Sequence, residues 1–265
     1  MSAVVIDGGL VHYEAFGRGR PVLFLHGWLG SWRYWMSTME AISHKNRTYA
    51  IDLWGFGDSD KSKQRYNISD YIDLVDHFLD NMGISEAPII GHSLGATVAL
   101  EYAVRNPERV SKLMTVSLPL NTDAINRKLT DLAHQSMLSK VMWWRQITHK
   151  EVQKETEKTD NSAIDISLQS VAQMNIAAYI ETLGQADNSI MLLTHGDKDD
   201  IIDPTPTVSL DGKWENIRPI GLSDSKHFPM LDEAAKFHRL LQDFLETNEN
   251  LSDLELKEEW RRRTR

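Results

Sequence analysis

One serine of this 265-residue chain sits between two glycines, Gly91-His92-Ser93-Leu94-Gly95, where an apolar run, Ala87–Ile90, gives way to a helical pattern over Thr97–Val104. A G-x-S-x-G sequence in that place describes a tight strand-to-helix turn. Such a turn holds the serine in a strained backbone and leaves its hydroxyl exposed. Side chains flanking the serine would collide, so glycine is needed on both sides. The helix that follows points its first N–H groups at any negative charge developing beside it. The chemistry implied for Ser93 is attack on an ester-like carbonyl. The backbone N–H of Leu94, the residue after the nucleophile, is then an expected oxyanion donor.

A serine hydroxyl is a weak nucleophile until a neighbouring base takes its proton. Ten histidines compete for that task. His92 adjoins the serine, so its backbone direction carries it away, and it is expected to pack beneath the turn. His195 ends the apolar run Ile190–Thr194 and is a real rival; His227 lies in Ser225-Lys226-His227-Phe228-Pro229, just before the last helical pattern. An acid must fix the imidazole tautomer and stabilise the imidazolium that forms. The stretch His195-Gly196-Asp197-Lys198-Asp199-Asp200-Ile201-Ile202-Asp203-Pro204 offers four aspartates for it.

These residues need a frame. Strand-like runs at Ala3–Ile6, Leu10–Ala15, Pro21–Leu25, Thr48–Leu53, Ala87–Ile90, Val110–Leu118, Ile190–Thr194 and Glu215–Ile220 alternate with helical ones. That alternation predicts an α/β fold with a mostly parallel sheet. The first two runs flank Asp7-Gly8-Gly9, a hairpin signal, so one edge should be antiparallel. Helices are expected over Ser31–Ile42, over Ile68–Met82 with its apolar residues in amphipathic spacing, and over Leu231–Leu245. From about Leu120 to Asp187 the alternation stops and the sequence turns polar and helical. The organisation expected is a core of residues 1–119 and 188–248, a helical insertion at 120–187 and a charged tail at 249–265.

The serine turn, the His26-Gly27-Trp28 segment, the Gly55-Phe56-Gly57-Asp58-Ser59 loop and the acid and histidine segments follow one another in the order seen in α/β-hydrolases, which this chain resembles over nearly its whole length. The resemblance implies an eight-stranded, mostly parallel sheet with flanking helices and a helical cap inserted after the sixth strand. It implies Ser93, Asp199 and His227 as the catalytic triad. Asp199 is the aspartate that fits Gly-x-x-Asp-x-hydrophobic-hydrophobic, with Asp197 and Asp200 as alternatives. Lys226 departs from the glycine usual before the histidine. The resemblance also implies the Trp28 N–H as second oxyanion donor and a structural role for His26. Trp28, Trp143 and Trp144 are candidate pocket residues, whereas Trp32 and Trp35 are expected to pack the first helix.

A serine at the turn argues against the epoxide hydrolases and haloalkane dehalogenases that share the resemblance but use aspartate there. His-Gly-Trp-Leu also lacks the proline of the epoxide-hydrolase segment. The expected substrate is a small, fairly apolar ester, thioester or lactone. A C–C bond hydrolase, a cofactor-free perhydrolase and a non-catalytic receptor on the same scaffold are the alternatives. A net charge of −9 disfavours nucleic acid as a partner. With no cysteine there is no thiolate or disulfide chemistry, and no metal or nucleotide motif is present. No cofactor is expected. No apolar run reaches the ~18–20 residues of a membrane span, and a cytoplasmic protein acting on a small-molecule substrate is the simplest expectation.

Overall fold

The computed structural model describes residues 2–120, 149–186, 189–247 and 251–256. Eight strands form one sheet: β1 (Ser2–Ile6), β2 (Gly9–Phe16), β3 (Arg20–Leu25), β4 (Asn46–Ile51), β5 (Ala87–His92), β6 (Val110–Val116), β7 (Met191–Gly196) and β8 (Ile217–Leu222). Their order across the sheet is β1-β2-β4-β3-β5-β6-β7-β8. β2 pairs antiparallel with both β1 and β4, and every pairing from β4 to β8 is parallel. The carboxyl ends of β3 and β5 lie side by side, with Leu25 opposite Gly91. Open parallel sheets bind their ligands beyond that end.

Helices cover both faces because the inner strands are apolar on both sides. One face carries α2 (Ile68–Asn81) and α3 (Leu94–Arg105); the other carries α1 (Met36–Ile42) and α7 (Ala234–Glu246). α2 starts at Asn67 with a capping box closed by Asp70. Between β6 and β7 the described residues form α4 (Lys150–Thr156), α5 (Asn161–Ala172) and α6 (Ile176–Gly184). Trp143 and Trp144 lie outside the described residues. No helix among the described residues is long and apolar enough to cross a membrane.

The differences from the sequence reading have local causes. The helix expected over Ser31–Ile42 opens as a 3-10 turn, Trp32–Trp35, because the Trp32 N–H is drawn to Asp52 Oδ1 (2.8 Å) and Ser31 caps Arg33. The last helix breaks at Glu233, whose non-helical backbone separates a short turn, Pro229–Asp232, from α7. Within the stretch expected as a charged tail, the described residues 251–256 hold Leu251 and Leu254, 1% and 3% exposed, in the core cluster that also takes Phe237, Leu240, Leu241 and Phe244 of α7.

Candidate active site

Ser93 stands between β5 and α3 with φ 53° and ψ −112°, a left-handed backbone that a non-glycine residue adopts only where its surroundings hold it there. They do so on three sides. Its N–H donates to the Val116 carbonyl of β6 (2.9 Å), and its carbonyl accepts from Ala96 and Thr97 in the first turn of α3. Gly91 and Gly95 are the third constraint. A Cβ on Gly91 would collide with the Gly95 carbonyl, and one on Gly95 would sit 2.5 and 2.6 Å from the carbonyls of Leu25 and His26. The glycines are needed because backbone meets backbone. Ser93 is 1% exposed.

The loop after β3 packs directly against the serine. A Cβ on Gly27 would lie 2.8 Å from the Ser93 Cβ. The His26 ring holds this loop at two points. Nδ1 donates to the Gly27 carbonyl (2.8 Å), and Nε2 accepts from the Leu53 N–H (2.9 Å). Burial keeps the ring's pKa below its ordinary value, against the pull of Asp52, so the neutral tautomer these bonds require is favoured. The Gly27 carbonyl and the Trp28 N–H belong to one peptide plane and point opposite ways. By pinning the carbonyl, His26 therefore fixes the direction of the N–H. The Leu94 N–H opens α3 and has no helical partner one turn back.

His227, 6% exposed, follows β8. Its Nδ1 lies 2.9 Å from Asp199 Oδ2 and 3.2 Å from Oδ1. Asp199 Oδ1 also accepts the N–H groups of Ile201 and Ile202, both at 2.9 Å. Burial alone would raise the Asp199 pKa. The His227 imidazole and the two backbone N–H groups outweigh it and hold the carboxyl at about 2. The ring of His227 lies 4.7 Å, centroid to centroid, from that of His92, the residue before Ser93.

The rivals are placed elsewhere. His195 faces Asp197 at 3.4 Å, and that carboxylate is half exposed; burial lowers the pKa of this ring. His92 is buried beneath the turn, its Nδ1 2.9 Å from the Tyr34 hydroxyl and its Nε2 2.8 Å from the His227 carbonyl. Trp35 is buried and Trp32 half-buried, both packed on the α1 side of the sheet. The Trp28 indole is buried as well, and its N–H donates to Ser167 Oγ of α5 (2.8 Å), so this side chain reaches from the loop after β3 into the segment between β6 and β7.

Three contributors were not legible in the sequence: Tyr34, Ser117 and Ser167. Ser117 follows β6 with φ 51°, a second strained residue beside the first. Ser167, half the chain away from Trp28, carried no signal. The nearest approach to a cation site among the described residues is His12, Asp52 and Asp58. Its atoms already have partners. Asp52 accepts from Trp32 and Asp58 N–H groups and from His12, while Asp58 pairs with Arg33 and Lys158. Those two cations oppose a third.

The sequence matches the family described as alpha/beta hydrolase fold over residues 20–152. It is 31% identical over 114 residues to a soluble epoxide hydrolase of Corynebacterium sp., a stretch covering 43% of this chain and 40% of that protein. It is 25% identical over 261 residues to the 2-hydroxymuconate semialdehyde hydrolase of Pseudomonas sp., covering 91% of this chain and 92% of the other. An enol-lactonase from Burkholderia xenovorans superimposes with a TM-score of 0.79 at 16% identity, over 92% of this chain and 99% of that one. The chain thus spans well under half of the epoxide hydrolase and nearly all of the semialdehyde hydrolase. With the match covering half the chain, and the strand order and strained serine turn agreeing with it, this protein belongs to the alpha/beta hydrolase fold family.

Proposed function

We propose that this chain is a serine hydrolase that cleaves a small, fairly apolar carboxylic ester, thioester or lactone through an acyl-enzyme. The observation that carries the reading is the buried His227–Asp199 pair, whose imidazole packs 4.7 Å from the ring of His92, the residue before the strained Ser93. Ser93 Oγ attacks the carbonyl carbon as His227 takes its proton. The carbonyl electrons move onto oxygen, facing the N–H groups of Trp28 and Leu94. Collapse expels the alcohol or thiol, which receives that proton from His227. A water activated by the same imidazole then releases the acid and restores Ser93. Asp199 stays ionised throughout, which its low pKa supports. Buried Leu94, next to Ser93, and buried Trp28, next to Gly27 at the serine turn, favour an apolar acyl group.

A second reading has one specific support. The 2-hydroxymuconate semialdehyde hydrolase aligns over nearly its full length, which favours hydrolytic C–C cleavage by the same residues. Similarity to epoxide hydrolases carries less weight, because a serine occupies the turn here.

The test is a fluorophosphonate probe followed by a panel of short-chain p-nitrophenyl esters, ring lactones and a dienoic diketone. Labelling and turnover are expected for the wild type and absent in Ser93→Ala. A folded wild type that resists the probe and the whole panel would argue for a receptor on this scaffold.

A further inference from the structure

His92 takes no chemical step in the reaction proposed above, yet it is fully buried and bonded through both ring nitrogens. The bonds around it have a forced direction. The Gly27 N–H can only donate, and it meets the Tyr34 hydroxyl oxygen at 2.5 Å. That leaves the Tyr34 proton to go to His92 Nδ1, 2.9 Å away. With Nδ1 accepting, the imidazole carries its one proton on Nε2, 2.8 Å from the His227 carbonyl, which can only accept. Ser117 Oγ adds a weaker donor to the same carbonyl at 3.4 Å. Phe228 closes the assembly, its ring 5.1 Å from that of His92 and 5.9 Å from that of Tyr34.

We propose that Tyr34 and His92 are positioning residues that tie the oxyanion loop to the main chain of the base, through the unbroken series Gly27 N–H, Tyr34 O–H, His92 Nε2–H and His227 C=O. The proposal rests on the serine-hydrolase reading. One end of the series adjoins the peptide that presents the Trp28 N–H; the other end is the backbone of His227. The electrophilic donor and the proton acceptor are set by one string of bonds, with Ser93 next to its midpoint. Reversing the His92 tautomer would place a lone pair against the His227 carbonyl and push that loop away.

Tyr34→Phe, His92→Leu and His92→Gln test this on the best ester substrate of the wild type. Displacements well under an ångström suffice to slow such chemistry, so Tyr34→Phe and His92→Leu should lower kcat roughly 10- to 100-fold with KM nearly unchanged. His92→Gln should return kcat to within about fivefold of the wild type, since its carboxamide can accept from Tyr34 and donate to the His227 carbonyl. ¹⁵N spectra of histidine-labelled protein should show His92 as the neutral Nε2–H tautomer, and Tyr34→Phe should erase that signature. Wild-type kcat in Tyr34→Phe, a glutamine variant as slow as the leucine one, or an Nδ1–H tautomer in the wild type each overturns the proposal. If His92→Leu does not fold, Tyr34→Phe and the tautomer decide. A wild type that neither takes the fluorophosphonate nor turns over an ester defeats the hydrolase reading and the positioning role with it. An Nε2–H tautomer in that same protein would still uphold the bond series.

Discussion

His227 Nδ1 sits 2.9 Å from Asp199 Oδ2, and the Asp199 side chain is completely shielded from solvent. A carboxylate with a pKa near 2 can only accept, so this nitrogen carries the proton and Nε2 is left as the basic one. Asp199→Asn would offer an amide N–H or a weaker acceptor at that point. It should lower kcat on the order of 10⁴-fold by favouring the wrong tautomer. Asp197→Asn should leave kcat within about twofold, as a half-exposed partner of His195. Steady-state kinetics of both variants on one ester decides between the two aspartates.

The same carboxylate predicts an acid limit to stability. Its pKa falls from 3.8 in the unfolded chain to about 2 when folded, so the stability it contributes is complete above pH ~4 and is lost as pH drops towards ~2. The gap in unfolding free energy between wild type and Asp199→Asn should therefore shrink by about 2 kcal/mol across that window. Urea titrations at a series of pH values measure it. A gap that stays constant would contradict the depressed pKa.

Gly27→Ala probes the packing of the loop after β3 against the serine turn. The backbone of Gly27 lies outside the left-handed region, so alanine is barred by close approach alone, at 2.8 Å to Ser93 Cβ, 2.9 Å to His92 Nδ1 and 3.1 Å to the His92 carbonyl. The loop or the serine must give way by a few tenths of an ångström. A kcat loss of about 10²-fold in a protein of near-normal melting temperature is expected. Unchanged kcat would mean that the loop does not contribute a donor.

The Trp28–Ser167 bond joins the oxyanion loop to α5 across 2.8 Å. Trp28→Phe keeps the backbone N–H and loses the indole donor, while Ser167→Ala loses the acceptor. Each should cost about 1–2 kcal/mol of unfolding free energy, as a buried hydrogen bond broken from one side does. The double variant should cost little more than the worse single one. Additive losses would show that the two side chains act independently.

Leu251 should behave as a core residue despite its charged surroundings. Leu251→Ala is expected to destabilise by roughly 2 to 3 kcal/mol, readable from the urea midpoint. A neutral substitution would return this segment to the solvated tail that its composition suggests.

Most of the frame was legible because it is written in local patterns. Eight strand-like runs became eight strands, and the amphipathic spacing from Ile68 became α2. Register was less secure. β4 and β8 begin and end two residues away from the expected boundaries, since strands that mix polar and apolar residues do not mark their own ends. The turn at Ser93 was legible because backbone crowding demands two glycines, and that demand leaves a mark in sequence. What joins the insertion to the core left none. Arg33 reaches Glu155 and Asp58, and Lys158 reaches Asp58, through pairs separated by as many as 122 positions. Leu251, Leu254 and Leu256 were a missed signal: leucines recurring within a charged stretch mark a buried edge.

The order of the strands has a consequence for when this protein becomes active. In the proposed mechanism the nucleophile lies at the end of β5, but the imidazole follows β8, an edge strand separated from β5 in the sheet by β6 and β7. A partly synthesised or partly refolded chain can own a complete serine turn and still be chemically silent. Turnover should thus lag behind every spectroscopic sign of compaction, making the catalytic assay a gauge of whether the last strand has found its place.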